Sequence, residues 1–174
     1  MDDKPCNGEA STCHGQPYAS GEYRTLNKLG YGKWEARLKA VSHDGIVNAF
    51  FMYDWPSQDE IDIEILGRDT TKMQINVWNG GVPVWGDNPP SIDLPSYGVS
   101  DAAASFNIYG FNYQPDKIEW FVNRQLVYTL NTNIPTNIGY MYFNFWPTKY
   151  SYSWTLPFVY SRPLRMRVAW AKYS

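Results

Sequence analysis

Between its turns the chain alternates apolar and polar residues with a period of two, the spacing that sends successive side chains to opposite faces of a strand. The pattern predicts strands over residues 21–25, 33–40, 46–53, 59–67, 72–78, 106–113, 117–122, 125–130, 140–146 and 164–173. In 33–40, Lys33, Glu35, Arg37 and Lys39 alternate with Trp34, Ala36, Leu38 and Ala40, a charged face turned to water over an apolar one. Residues 46–53 are nearly all apolar or aromatic, which suits a strand buried on one face and covered by ligand or loops on the other. Gln114-Pro115-Asp116 and Asn123-Arg124 read as tight turns, the second forcing Arg124 into an awkward backbone. Residues 1–17 and 79–105 carry turn formers and little period, and read as loops, the second a long surface loop. There is no amphipathic helix, no internal repeat and no linker, so residues 1–174 are expected to form one all-β domain, a sandwich or barrel.

One strand departs from ordinary alternation. In Asp59-Glu60-Ile61-Asp62-Ile63-Glu64-Ile65-Leu66-Gly67 the three isoleucines share one face, and Glu60, Asp62 and Glu64 share the other. A solvated strand face usually mixes lysine with acid, because like charges side by side repel. Three acids with no interleaved base point instead to chemistry. Crowded carboxylates cannot all ionise easily, so one keeps its proton towards neutral pH. A protonated and an ionised carboxyl are the pair that breaks a glycosidic bond. Four residues of strand separate the Glu60 and Glu64 α-carbons by about 13 Å. Both side chains must therefore lean over Asp62 to approach the ~5–5.5 Å of a retaining pair, and the spacing alone leaves retention and inversion (~6.5–9.5 Å) both open.

Composition adds a second clue. The chain has 14 Tyr, 8 Trp and 8 Phe in 174 residues, more rings than a core of this size needs. Flat rings suit sugar faces, although a β-rich core also favours them. A net charge of -2 gives no electrostatic footprint for nucleic acid, and no apolar run reaches the length of a membrane span. The opening Met1-Asp2-Asp3-Lys4-Pro5 lacks the basic and apolar regions of a secretion signal, so export would need a signal outside this chain. Cys6 and Cys13 are spaced for a small-loop disulfide or for two free thiols. With His14 they fall short of a four-ligand zinc site, and His43 sits in a turn, so no metal site is expected.

Several strands repeat one design, with an apolar inner face and an outer face of rings and polar groups. Glu22 and Arg24, Phe51 and Tyr53, the acid row, Gln74, Asn76 and Trp78, and Tyr142, Asn144 and Trp146 would together line a cleft for a polysaccharide. For Asn76 and Asn144 the simpler alternative is a hydrogen bond to the acid row. Asp59–Gly67, with Gly21-Glu22-Tyr23-Arg24-Thr25, Tyr31-Gly32 and Gln74-Ile75-Asn76, resembles glycoside hydrolase family 16, nearest to its bacterial 1,3-1,4-β-glucanases. The resemblance runs from about residue 18 to 173. It implies a concanavalin A-like jelly-roll sandwich of two antiparallel sheets and an extracellular, endo-acting, retaining β-glucan hydrolase. It implies Glu60 as nucleophile, Glu64 as general acid/base and Asp62 as the residue that tunes them. Sugar-binding positions would be Glu22, Arg24, Phe51, Tyr53, Asn76, Trp78, Asn144 and Trp146.

The chain departs from the family pattern in places. Gln58 stands where a Trp usually precedes the Asp-Glu pair, and Asn107 where a histidine is expected. Ala169 replaces the aspartate that would bind calcium, so no cofactor is expected. Family members carry roughly fifty residues before the point where Met1 begins, and these form strands of both sheets. Without them unpaired sheet edges are expected: either the chain is truncated, or a second chain supplies the missing strands, or they were relocated in evolution. Two other functions compete: a transglycosylase or hydrolase acting on xyloglucan or laminarin, and a non-catalytic carbohydrate-binding sandwich.

Overall fold

A computed structural model describes residues 18–148 and 152–174. Cys6, Cys13, His14 and the predicted loop 1–17 lie outside the described residues. The strands are β1 (Gly21–Arg24), β2 (Gly32–Lys39), β3 (Ile46–Asp54), β4 (Asp59–Leu66), β5 (Lys72–Asn79), β6 (Val82–Pro83) and β7 (Ser91–Asp93), then β8 (Asn107–Tyr113), β9 (Ile118–Val122), β10 (Gln125–Leu130), β11 (Tyr140–Pro147) and β12 (Arg167–Tyr173). One short helix, α1 (Tyr152–Thr155), and a 3-10 turn at Leu94–Tyr97 complete the described elements. Every pairing is antiparallel. A seven-stranded sheet runs β1-β11-β3-β4-β5-β6 with β7 also on β5, and a five-stranded sheet runs β10-β9-β8-β2-β12. This is the expected jelly-roll sandwich.

The core lies between the sheets. Ile61, Ile63 and Ile65 of β4 are buried with Phe50, Ile75 and Phe143 of the same sheet, facing Trp34, Phe111 and Trp120 of the other. Phe50 stacks on Phe143 at 4.8 Å within its sheet and on Phe111 at 5.7 Å across the sandwich. Full burial of such side chains is worth about 1.5–3 kcal/mol each. One polar contact ties this core to the acid strand: the indole N–H of Trp120 donates to the Asp62 backbone carbonyl at 3.2 Å.

The structure revises three expectations. Residues 79–105 are not a simple surface loop: β6, β7 and the 3-10 turn occupy them, and Ile92, Leu94, Val99 and Ala102 join the core. Their apolar anchors are too widely spaced to leave a period. Glu35, placed on a solvated face, is only 6 % exposed. Lys33 and Arg124 reach its carboxylate at 3.2 and 3.8 Å, so the charges pair rather than hydrate separately. The last strand begins at Arg167, three residues late, because Leu164 turns into a small cluster with Ile46 and Phe145. The Asn123-Arg124 turn behaves as expected: φ is 47° and 66°, the left-handed pair that a two-residue hairpin matched to strand twist requires.

Among the described residues β1 and β12 each end their sheet, facing one another across an apolar groove. Tyr23 and Val168 share faces with the buried Phe143 and Leu38, yet are 64 % and 41 % exposed. No helix among the described residues is long and apolar enough to cross a membrane.

Candidate active site

The register of the seven-stranded sheet assembles the site in rows. Because β4 buries its isoleucines, Glu60, Asp62 and Glu64 face away from the second sheet. Across the strands, Tyr140, Tyr53, Glu60 and Trp78 form one row. Arg24, Tyr142, Phe51, Asp62 and Asn76 form the next. Glu22, Asn144, Ala49, Glu64 and Gln74 form a third, with Trp146 one step beyond on β11. Every acid and sugar-binding position expected from the sequence therefore lies on this one face.

The acids are not equivalent. Burial, then the neighbouring charge of Glu60, pushes the Glu64 carboxyl up to about 7. Asp62 is held well above the usual carboxylate range by burial and by Glu60 and Glu64 on either side. Asp62 and Glu60 are hydrogen-bonded, which favours a proton on Asp62 and a charge on Glu60, while the Trp78 indole also donates to Asp62. Burial raises Glu60 as well, and the bond from Asp62 opposes that rise. Crowding among the three carboxyls, the reason the sequence offers for a retained proton, is the smaller cause at Glu64. Desolvation is the larger cause, and Asp62 acts mainly on Glu60.

The rings divide between the two ends of the acid row. At the Glu60 end a cavity of about 460 Å³ is bounded by Glu22, Arg24, Phe51, Tyr53, Trp55, Glu60 and Tyr142. Phe51 stacks on Tyr142 at 4.9 Å, and the Arg24 guanidinium lies 4.6 Å above the Tyr140 ring. At the Glu64 end Trp154 of α1 donates its indole N–H to the Gln74 side-chain oxygen at 2.7 Å and lies 6.2 Å from Trp146. Asn144 bonds Glu22 at 3.1 Å and not the acid row, and its own side-chain oxygen is buried without a partner. Asn76 turns its oxygen to the Val77 N–H, at 2.9 Å. Sequence reasoning missed Trp154, Tyr140 and Trp55. Tyr140 continues the alternation of Tyr142 and Trp146 and was within reach; Trp154 and Trp55 lie outside strands and leave no periodic signal. Ala169 sits at the bulge of the edge strand β12 and offers no side-chain ligand.

Comparison with known proteins agrees with this architecture. Residues 3–172 match the model of the glycosyl hydrolases family 16. The chain is 42 % identical over 161 residues to a beta-glucanase of Acetivibrio thermocellus, covering 90 % of this chain and 46 % of that protein. It is 40 % identical over 158 residues to a beta-glucanase of Paenibacillus polymyxa, covering 88 % of this chain and 63 % of that protein. The chain thus spans about half to two thirds of the length of these relatives. A solved prokaryotic beta-1,3-1,4-glucanase (lichenase) from a mouse hindgut metagenome superposes with a TM-score of 0.85 at 36 % identity, over 96 % of this chain and 75 % of that one.

Proposed function

The chain belongs to glycosyl hydrolase family 16, and from that premise we propose that it cleaves β-1,3-1,4-glucan internally and with retention. The observation that carries the reading is the acid row, three carboxyls on one strand face with the proton kept on Glu64 up to about 7. The names of the relatives support the substrate class, and the lichenase structure supports the mixed linkage. A polymeric glucan makes an extracellular site of action part of the proposal.

The roles follow from the electrostatics. A glucan chain crosses the strands with its rings against Phe51, Tyr53, Tyr142 and Trp146. Glu64 donates its proton to the leaving oxygen as the glycosidic bond breaks, and the Glu60 carboxylate forms a bond to the anomeric carbon. The proton on Asp62, shared with Glu60, keeps Glu60 ionised before attack. In the second step Glu64 takes a proton from water, the water oxygen bonds to the anomeric carbon, and Glu60 leaves as carboxylate. Asn144, steadied by Glu22, turns its unpartnered oxygen to a sugar hydroxyl.

The test is incubation with mixed-linkage glucan, laminarin and xyloglucan, counting reducing ends and measuring polymer length. New reducing ends from the mixed-linkage polymer, with a rapid fall in its length, are expected. Reducing ends only from laminarin or xyloglucan would overturn the substrate, redistribution of length without new ends would indicate transfer, and no change at all would leave a binding module.

A further inference from the structure

Outside the cleft, where β2 ends and β12 begins, a second cavity of about 460 Å³ opens on the side of the sandwich. Its walls include Lys39, Arg162, Arg165 and Arg167, and none of its lining residues is acidic. The chain carries a net charge of -2, yet four of its fifteen Lys and Arg side chains surround this opening. Lys39 and Arg167 are register partners across β2 and β12, and like charges directly opposite one another destabilise a strand pair.

Elsewhere, among the described cations, Lys28, Lys33, Lys72, Lys117 and Arg124 each reach a carboxylate, whereas Arg24, Arg37, Arg68 and Lys172 have no ion pair. Here Lys39 bonds only the Ala104 carbonyl, at 3.0 Å. Among the described residues Arg162, Arg165 and Arg167 have no ion-pair partner. An opening whose lining holds three arginines and a lysine and no acid matches an anion with several oxygens, because guanidinium binds such groups bidentately; Arg165 and Arg167 also line the adjoining groove, which holds Glu22.

We propose that this cavity binds a polyvalent oxyanion, a phosphate or sulfate group, either free or carried on a polymer. It shares no residue with the acid row or its flanking rings, so it would hold such a group while neutral glucan occupies the cleft. The same anion would relieve the repulsion between Lys39 and Arg167.

The test is thermal unfolding and titration calorimetry of the whole chain at constant ionic strength, with sodium chloride, inorganic pyrophosphate or dextran sulfate. At roughly a hundredfold excess over Kd, pyrophosphate or dextran sulfate should raise Tm by about 5–10 °C above chloride. Each of Arg165→Gln and Arg167→Gln should weaken binding about tenfold. The double variant should lose the anion response while hydrolysing glucan at the wild-type rate. Without added anion Arg167→Gln should be at least as stable as wild type, which separates lost binding from lost folding. Response to both anions indicates a site for the free ion; response to dextran sulfate alone indicates a polymer-borne group. Both anions acting no more than chloride on the wild type in both assays, or an effective anion acting equally on the double variant, would overturn the proposal.

Discussion

Glu64→Gln should stabilise the fold while it stops catalysis, and the gain should depend on pH. Burial and the charge of Glu60 raise the Glu64 carboxyl from 4.5 to about 7. In the unfolded chain it would lose its proton near 4.5. Below that pH both states are protonated, so Glu64 costs nothing. Between 4.5 and about 7 the folded state holds the extra proton, and stability falls as pH rises; above about 7 the whole cost is present. Each pH unit of that interval is worth about 1.4 kcal/mol, an upper bound of roughly 3 kcal/mol. The side chain keeps some contact with solvent, which brings the expected gain to about 2 kcal/mol. For a chain of this length that is a rise in Tm of about 4–8 °C. Melting wild type and variant at pH 4 and pH 8 measures it. A difference that is the same at both pH values, or a variant less stable at pH 8, would refute the assignment of the buried proton to Glu64.

Four further outcomes are expected. On polymeric glucan, Glu64→Gln should lower turnover by about 10²–10⁴-fold. The wild-type pH profile of kcat/KM should fall through about 7 as Glu64 loses its proton, and on the acid side should rise only above the usual glutamate value, since burial also raises Glu60. Trp154→Ala, which frees Gln74 beside Glu64 and removes the ring next to Trp146, should lower kcat/KM on polymer about tenfold with little change in Tm. Gly110→Ala should destabilise the fold by about 1–3 kcal/mol in urea titrations, because a β-carbon there would come within 2.4 Å of the Trp34 backbone oxygen.

Much of the site was legible because it is built on strands. Alternation of isoleucine and acid fixed both faces of β4, and the same period put Phe51, Tyr53, Asn76, Trp78, Asn144 and Trp146 on the outer side of neighbouring strands. What alternation could not reveal was partnership. Glu35 looked solvated because the Arg124 that reaches it comes from a turn distant in sequence, and Asn144, read as a sugar-binding position with a bond to the acids as the simpler alternative, holds Glu22. Trp154 was invisible because its helix spans only four residues, too short to show a helical period. Residues 79–105 hid four core side chains among glycines and prolines, since an anchor every few residues serves packing without producing a repeat. The rank of causes acting on Glu64 was also beyond the sequence, which counts charges but not the protein that excludes water around them.

The central claim is that Glu60 and Glu64 cleave β-glucan by two displacements at one anomeric carbon. Proton NMR of the reducing ends released from mixed-linkage glucan in the first minutes, before mutarotation, tests it most directly. The account predicts that the β-anomer appears first and the α-anomer grows in later; an α-anomer that leads would contradict it.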